Sequence, residues 1–160
     1  MSGHIRQANL DEAELLTELA LRSKGNWGYD CEFLQDCRID LTLKPEYIAS
    51  STVYVLEEEG TVAGFYSLSG AGAEVELMHL FVEPWAIGRG YGKLLFHHAV
   101  ERARALGFER LVIGSDPFAL EFYEAMGAHR VGDVASIVRP GRMLPLLHYP
   151  LLSPGRDPSS

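Results

Sequence analysis

The spacing of apolar residues changes repeatedly along the chain, and each change marks an element. Near the start, Leu15, Leu16, Leu19 and Ala20 recur at helical spacing. Asp11, with Glu14 three residues later, predicts the start of that helix as a capping-box variant. A short strand-like stretch, Ile5 to Ala8, precedes it. The turn SKGNWGYD should end the helix, and a second helix from Asp30 carries Phe33, Leu34 and Cys37. The middle of the chain switches to alternation. TVYVLEEEGTVAGFYSLSG predicts two strands, Thr52 to Glu57 and Val62 to Ser69, around a turn at Glu59-Gly60. AEVELMHLFVE predicts a third strand, stopped by Pro84. Helical spacing returns from Tyr91 to Leu106, closed by Gly107 at its C′ position. ERLVIGS reads as a strand. DPFALEFYEAMG reads as a helix with Asp116 as N-cap, Pro117 at the first position and Gly127 as the stop. Val131, Val134 and Ile137, then Leu144 to Leu152, predict two closing strands around Pro140-Gly141. This order predicts an α/β fold (α+β mixed) in which a mixed sheet carries one crossover unit. One domain is expected over residues 1–152, with a flexible tail over 153–160.

Composition narrows the function classes. A formal net charge of −8 argues against a general nucleic-acid binder, which needs clustered Lys and Arg to displace counterions. The two cysteines, Cys31 and Cys37, fall on one expected helix and form no CxxC pair or disulfide framework. No apolar run approaches ~18 residues and the start of the chain has no apolar signal core, so neither a membrane span nor export is expected. A cytoplasmic location is the default. His97 and His98 lack further ligands at metal spacing, and no metal is expected.

The chemistry concentrates in FVEPWAIGRGYGKLLFHHAVERARALG, where Gly88, Gly90 and Gly92 alternate between a strand and a helix. Such turns cradle phosphate with backbone N–H groups at the positive end of a helix. A P-loop would need a hydroxyl after Gly92-Lys93, but Leu94 stands there. A dinucleotide fingerprint needs a different last spacing and an early strand, so a nicotinamide-dependent reductase is disfavoured. A plain glycine-rich turn is one remaining reading; the other is a cradle that binds pyrophosphate without metal. Gly90 and Gly92 allow close backbone approach, while Arg89 and Lys93 add charge.

LFVEPWAIGRGYGKLL, followed by a helix, a strand and DPFALEFYEAMGA, resembles the GNAT superfamily of acetyl-CoA-dependent N-acetyltransferases. The family signature [Q/R]-x-x-G-x-[G/A] maps onto Ile87 to Gly92. Its downstream N-x-x-A-x-x-x-Y helix maps onto Asp116, Ala119 and Tyr123, ending at Gly127. The resemblance spans roughly Val53 to Leu151 and is strongest from Glu76 to Gly127. It implies a GNAT-like twisted mixed sheet of about seven strands flanked by about four helices. It also implies acetyl-CoA as co-substrate, with its pyrophosphate on Gly88, Arg89, Gly90, Tyr91, Gly92 and Lys93. Leu80, Phe81 and Val82 would pair with the pantetheine arm as with an added strand. Asp116 and Phe122 would complete the cofactor contacts. Two departures stand out: Ile87 replaces a polar residue, and Asp116 stands where Asn is commoner.

Within the same resemblance, Tyr123 matches the general acid that protonates the coenzyme A thiolate, a role suited to a phenol of pKa about 10. Glu76 matches a catalytic glutamate, and partial burial would raise its pKa toward neutrality. His79 competes for the role of base. Simple alternation puts it on the face opposite Glu76 unless a bulge resets the register. A water relay is the third route. The turn RSKGNWGYD would cover the acceptor, with Trp27 and Tyr29 as pocket walls. The expected activity is acetyl transfer to a primary amine, on a small molecule or a peptide, by direct attack; a homodimer is compatible with it. The alternative is a GNAT-like module that binds acyl-CoA without turnover, for which Ile87 and Asp116 leave room.

Overall fold

Alternating burial in the middle of the chain produces three sequential antiparallel strands, β2 (Thr52–Glu58), β3 (Thr61–Ala71) and β4 (Glu74–Val82). The computed structural model describes residues 3–136 and 138–151; Ile137, Leu152 and the tail expected over 153–160 lie outside the described residues. β1 (His4–Gln7) pairs with β2, as the strand-like start of the chain implied. β5 (Arg110–Gly114) runs parallel to β4, and β7 (Met143–Pro150) lies between β5 and β6 (His129–Ala135). The seven strands form one sheet in the order β1-β2-β3-β4-β5-β7-β6.

Helices cover both faces. α1 (Ala13–Gly25), α2 (Cys31–Leu41) and α3 (Pro45–Ser50) bury Leu16, Leu19, Phe33, Cys37 and Ile48 against Val53, Val55 and Phe65. α4 (Tyr91–Ala105) and α5 (Leu120–Ala125) bury Leu95, Phe96, Ala99 and Tyr123 against Tyr66, Val75, Leu111 and Leu147. β3 lies in the middle with both sides covered, so Val62 through Leu68 is buried without a break.

Among the described residues five α-helices form, in keeping with the expected count of about four; the short α3, started by Pro45, is the addition. The first cap also shifts. Glu12 accepts from the Asn9 N–H at 2.8 Å, so the capping box is Asn9/Glu12 around a 3-10 turn at Leu10–Glu12, not Asp11/Glu14. Arg6 holds Glu12 in place at 2.7 Å, a tertiary partner that local spacing cannot reveal. The helix expected from Pro117 divides: Asp116 caps a 3-10 turn, Pro117–Ala119, and α5 starts only at Leu120. Asp30 caps α2 by accepting from the Phe33 N–H, and Glu59 and Gly60 turn the β2–β3 hairpin with positive φ.

Two irregularities position the site. β4 and β5 pair only over Glu74–Glu76 and Arg110–Val112, so beyond Glu76 the strands separate and β4 has no strand partner on that side among the described residues. Against β3, Ser67 pairs with His79 while Leu68 pairs with Leu77, which leaves Met78 as a bulge.

Candidate active site

The splay between β4 and β5 opens a cavity of about 440 Å³. Its walls come from elements far apart in sequence. β4 gives Leu80, Phe81 and Val82, the glycine turn gives Gly88, Gly90, Tyr91, Gly92 and Lys93, and the β5–α5 segment gives Ser115, Asp116, Phe122 and Tyr123. Trp27 from the turn after α1 closes another side. Twelve of the expected site residues therefore meet around one space. Tyr29, Glu76, His79 and Arg89 do not line it.

Pro84 ends β4 and opens a 3-10 turn. Gly88 and Gly90 then take φ of 91° and 79°, a left-handed conformation that a side chain would strain. This path turns the N–H groups of Gly88 through Lys93 free of any partner among the described residues; the first helical bond runs from Leu94 N–H to the Gly90 carbonyl. Six consecutive donors unpaired among the described residues stand at the positive end of a fifteen-residue helix, an arrangement able to bind an anion. Arg89 turns away to Glu58 at 2.6 Å, and the Tyr91 hydroxyl also donates to Glu58. The charge at the cradle is thus left to Lys93 and the backbone. Ile87 lines the cavity and adds no donor.

At the other end, Tyr123 packs its ring on Phe96 and Phe122, while its hydroxyl makes no hydrogen bond to the described residues. Burial, reinforced by the charge of Asp116, pushes the phenol pKa above its ordinary value, so it is protonated at neutral pH. Asp116 caps the 3-10 turn through the Phe118 N–H at 2.9 Å, and also accepts from Lys24 at 2.8 Å and from Tyr29. Burial acts to raise its pKa, but these donors outweigh burial and hold it below the usual range. Tyr29 is thus held by Asp116 rather than turned into the cavity, and burial pushes its pKa up to about 12.

The bulge at Met78 brings Glu76 and His79 onto the same face, overturning the opposite-face expectation from simple alternation. Tyr47 contacts the His79 ring at 5.9 Å and feels the charge of Glu76. The two residues differ in access. His79 is 6% exposed, its Nδ1 lies 2.6 Å from Ser67 Oγ, and burial lowers its pKa to about 4. Glu76 is exposed, and its pKa is raised by desolvation and then by the charge of Asp40. Asp40, on α2, lines the cavity; desolvation also raises its pKa, against a smaller opposing pull from Lys24. Neither carboxylate has an ion-pair partner among the described residues. Lys24, Asp40, Ser115 and Arg142 were not legible as site residues. Only Lys24 carried a signal, as the one cation within the aromatic turn SKGNWGYD. Among the described residues, no group of three or more His, Cys, Asp or Glu is placed to hold a metal ion, and no helix is long and apolar enough to cross a membrane.

Comparison with known proteins agrees with this geometry. The acetyltransferase (GNAT) family profile matches residues 14–128. The peptidyl-lysine N-acetyltransferase YiaC of Escherichia coli (strain K12) is 34% identical over 130 residues, covering 79% of this chain and 84% of YiaC. Two solved structures share the fold at low identity. The PaiA N-acetyltransferase of Thermoplasma acidophilum, in complex with coenzyme A, has a TM-score of 0.76 at 18% identity, with 94% of this chain and 99% of that one covered. The ribosomal-protein-S18-alanine N-acetyltransferase of Escherichia coli has a TM-score of 0.72 at 16% identity, with 98% of each chain covered. The sequence match over most of the chain, on a sheet that splays beside an unpaired glycine turn, makes this protein a member of the acetyltransferase (GNAT) family and an acyltransferase.

Proposed function

We propose that the protein transfers an acetyl group from acetyl-CoA to a primary amine, the side-chain amine of a lysine in a peptide, by direct attack. The observation that carries this reading is the continuity of one cavity from the unpaired N–H groups of Gly88–Lys93 to the free phenol of Tyr123. The donor set fits coenzyme A. The glycine turn offers a pyrophosphate six backbone donors, and the unpaired edge of β4 at Leu80–Val82 offers an amide-bearing arm a strand to pair with. Bound acetyl-CoA would supply an activated thioester.

The residues of the chain then divide the remaining work. β4 orients the arm, and the apolar walls Leu77, Leu80, Val82 and Phe122 exclude water. Asp40 and Glu76 present unpaired negative charge to an incoming ammonium. Glu76, its pKa raised by desolvation and by the charge of Asp40, is the leading group to take the amine proton, directly or through water. His79 is less suited, because its nitrogens are committed inside the core and its basicity is reduced. Tyr123 returns a proton to the leaving thiolate. YiaC, named for peptidyl-lysine acetylation, supports the acceptor class.

The test is release of coenzyme A thiol in the presence of acetyl-CoA and a panel of lysine peptides, polyamines, aminoglycosides and amino acids. Thiol release with an Nα-blocked lysine peptide, together with a mass shift on its side-chain amine, is the expected result. Thermal stabilisation by acetyl-CoA with no thiol released for any amine would instead establish a binding module without turnover.

The base makes a separate prediction. A carboxyl must be ionised to accept a proton, so kcat/KM should fall as pH drops through the raised pKa of Glu76. Glu76→Gln should lower kcat/KM at neutral pH about tenfold or more and flatten that acidic limb. An unchanged limb in the variant would remove Glu76 from the role.

A further inference from the structure

Two stretches of sequence that share no local relation, SKGNWGY and SDPF, are bound together in the fold. Lys24 Nζ donates to Asp116 Oδ2 at 2.8 Å, with both side chains only 13% exposed. The Tyr29 hydroxyl donates to the same carboxylate and accepts from an Arg142 N–H at 2.8 Å. Between them, Trp27 stacks on Phe118 with ring centroids 5.4 Å apart and planes within 9°. The end of α1 and the turn after it are therefore tied to the β5–α5 segment by an ion pair, a hydroxyl and an aromatic stack.

Asp116 already accepts from three donors, Lys24, the Tyr29 hydroxyl and the Phe118 N–H, which hold both of its oxygens within the fold. Its position therefore has a use other than touching coenzyme A. The segment it anchors leads through the Pro117–Ala119 turn directly into α5, only six residues long, with no side-chain cap of its own. A helix so short cannot hold itself in place. Its placement depends on packing and on the anchor at Asp116, and Tyr123 is in its middle. Lys24, Asp116 and Tyr123 all line the same cavity.

We propose that Lys24 is a positioning residue for acetyl transfer. By holding Asp116 it fixes the start of α5, and so the point in the cavity to which the Tyr123 hydroxyl is delivered. The inference rests on Tyr123 being the proton donor. It assigns to Asp116 the anchoring of α5 besides its expected cofactor contact, and it gives the SKGNWGY turn a role in the chemistry besides walling the acceptor.

A double-mutant comparison tests it on the full chain, with acetyl-CoA and an Nα-blocked lysine peptide as substrates. Lys24→Met should lower kcat tenfold or more while the Kd for acetyl-CoA, set mainly by the backbone N–H groups of the glycine turn, stays within twofold. Lys24→Arg, which can still pair with Asp116, should recover at least a third of wild-type kcat. The variant carrying Lys24→Met with Tyr123→Phe should be no slower than Tyr123→Phe alone, because Lys24 acts through that phenol. A merely structural role would instead multiply the two losses, which would overturn the proposal. It also fails if Lys24→Met keeps kcat within twofold, or if Arg is no better than Met at this position. Tyr123→Phe with wild-type turnover would remove the proton donor itself, and the proposal with it.

Discussion

Tyr123→Phe is expected to lower kcat by about 100-fold, the lower end of what a positioned general acid contributes, while leaving acetyl-CoA affinity within about twofold. The substitution removes one oxygen and keeps the ring that packs on Phe96 and Phe122. That oxygen has no hydrogen-bond partner among the described residues, so its loss strands no buried group and stability should hold. What disappears is the proton. Burial and the charge of Asp116 both favour the neutral phenol, so wild-type Tyr123 is fully protonated at neutral pH and poised as a donor. A thiolate leaving without that donor must draw its proton from water, which the apolar walls of the cavity restrict. Steady-state kinetics with calorimetric binding of acetyl-CoA separates the two quantities. A variant that turns over at the wild-type rate would remove Tyr123 from the mechanism.

The second large effect concerns stability rather than rate. Between pH 6.5 and 4 the protein should lose up to about 3 kcal/mol through His79 alone, since a tenfold change in proton affinity is worth about 1.4 kcal/mol. The sign follows from where the proton binds. In the unfolded chain His79 titrates near 6.5, whereas in the core burial lowers it to about 4, with the backbone of Leu41 offsetting only part of that. Between these values the unfolded state binds the proton and the folded state does not. The stabilisation is therefore complete above about pH 6.5 and is lost as pH falls toward 4. A loss of that size is a large part of the 5–15 kcal/mol typical of a domain. His79→Gln can still meet Ser67 without titrating, and Ser67 keeps its 2.9 Å contact with Tyr47. Denaturant unfolding at several pH values should show a flatter profile for this variant over the same window. Parallel wild-type and variant profiles would contradict the assignment.

Helices and strands were legible wherever the pattern was long and bounded by its own signals. Pro84, Gly107, Asp116 and Gly127 each end or start an element where local chemistry says they must, because capping and φ preferences act over a few residues. Local rules failed where a distant partner decided. The first cap moved to Asn9/Glu12 because Arg6 draws Glu12 toward β1 and β2. The bulge at Met78 has no sequence signature, yet it moved His79 onto the face of Glu76.

The sequence by itself determined the cradle. Gly88-x-Gly90-x-Gly92 between a strand and a helix dictates a left-handed path with unpaired N–H groups, since only glycine takes that path cheaply and a helix start always leaves its first donors free. It also determined the resemblance that led to acetyl-CoA and to Tyr123. Only the tertiary structure decided which charges serve the site. Arg89 and Tyr29 are drawn away by Glu58 and Asp116, while Lys24 and Asp40, remote in sequence, come to line the cavity. The physical reason is range: backbone conformation is fixed by neighbours along the chain, whereas the burial and pairing of a charge depend on what the fold brings beside it.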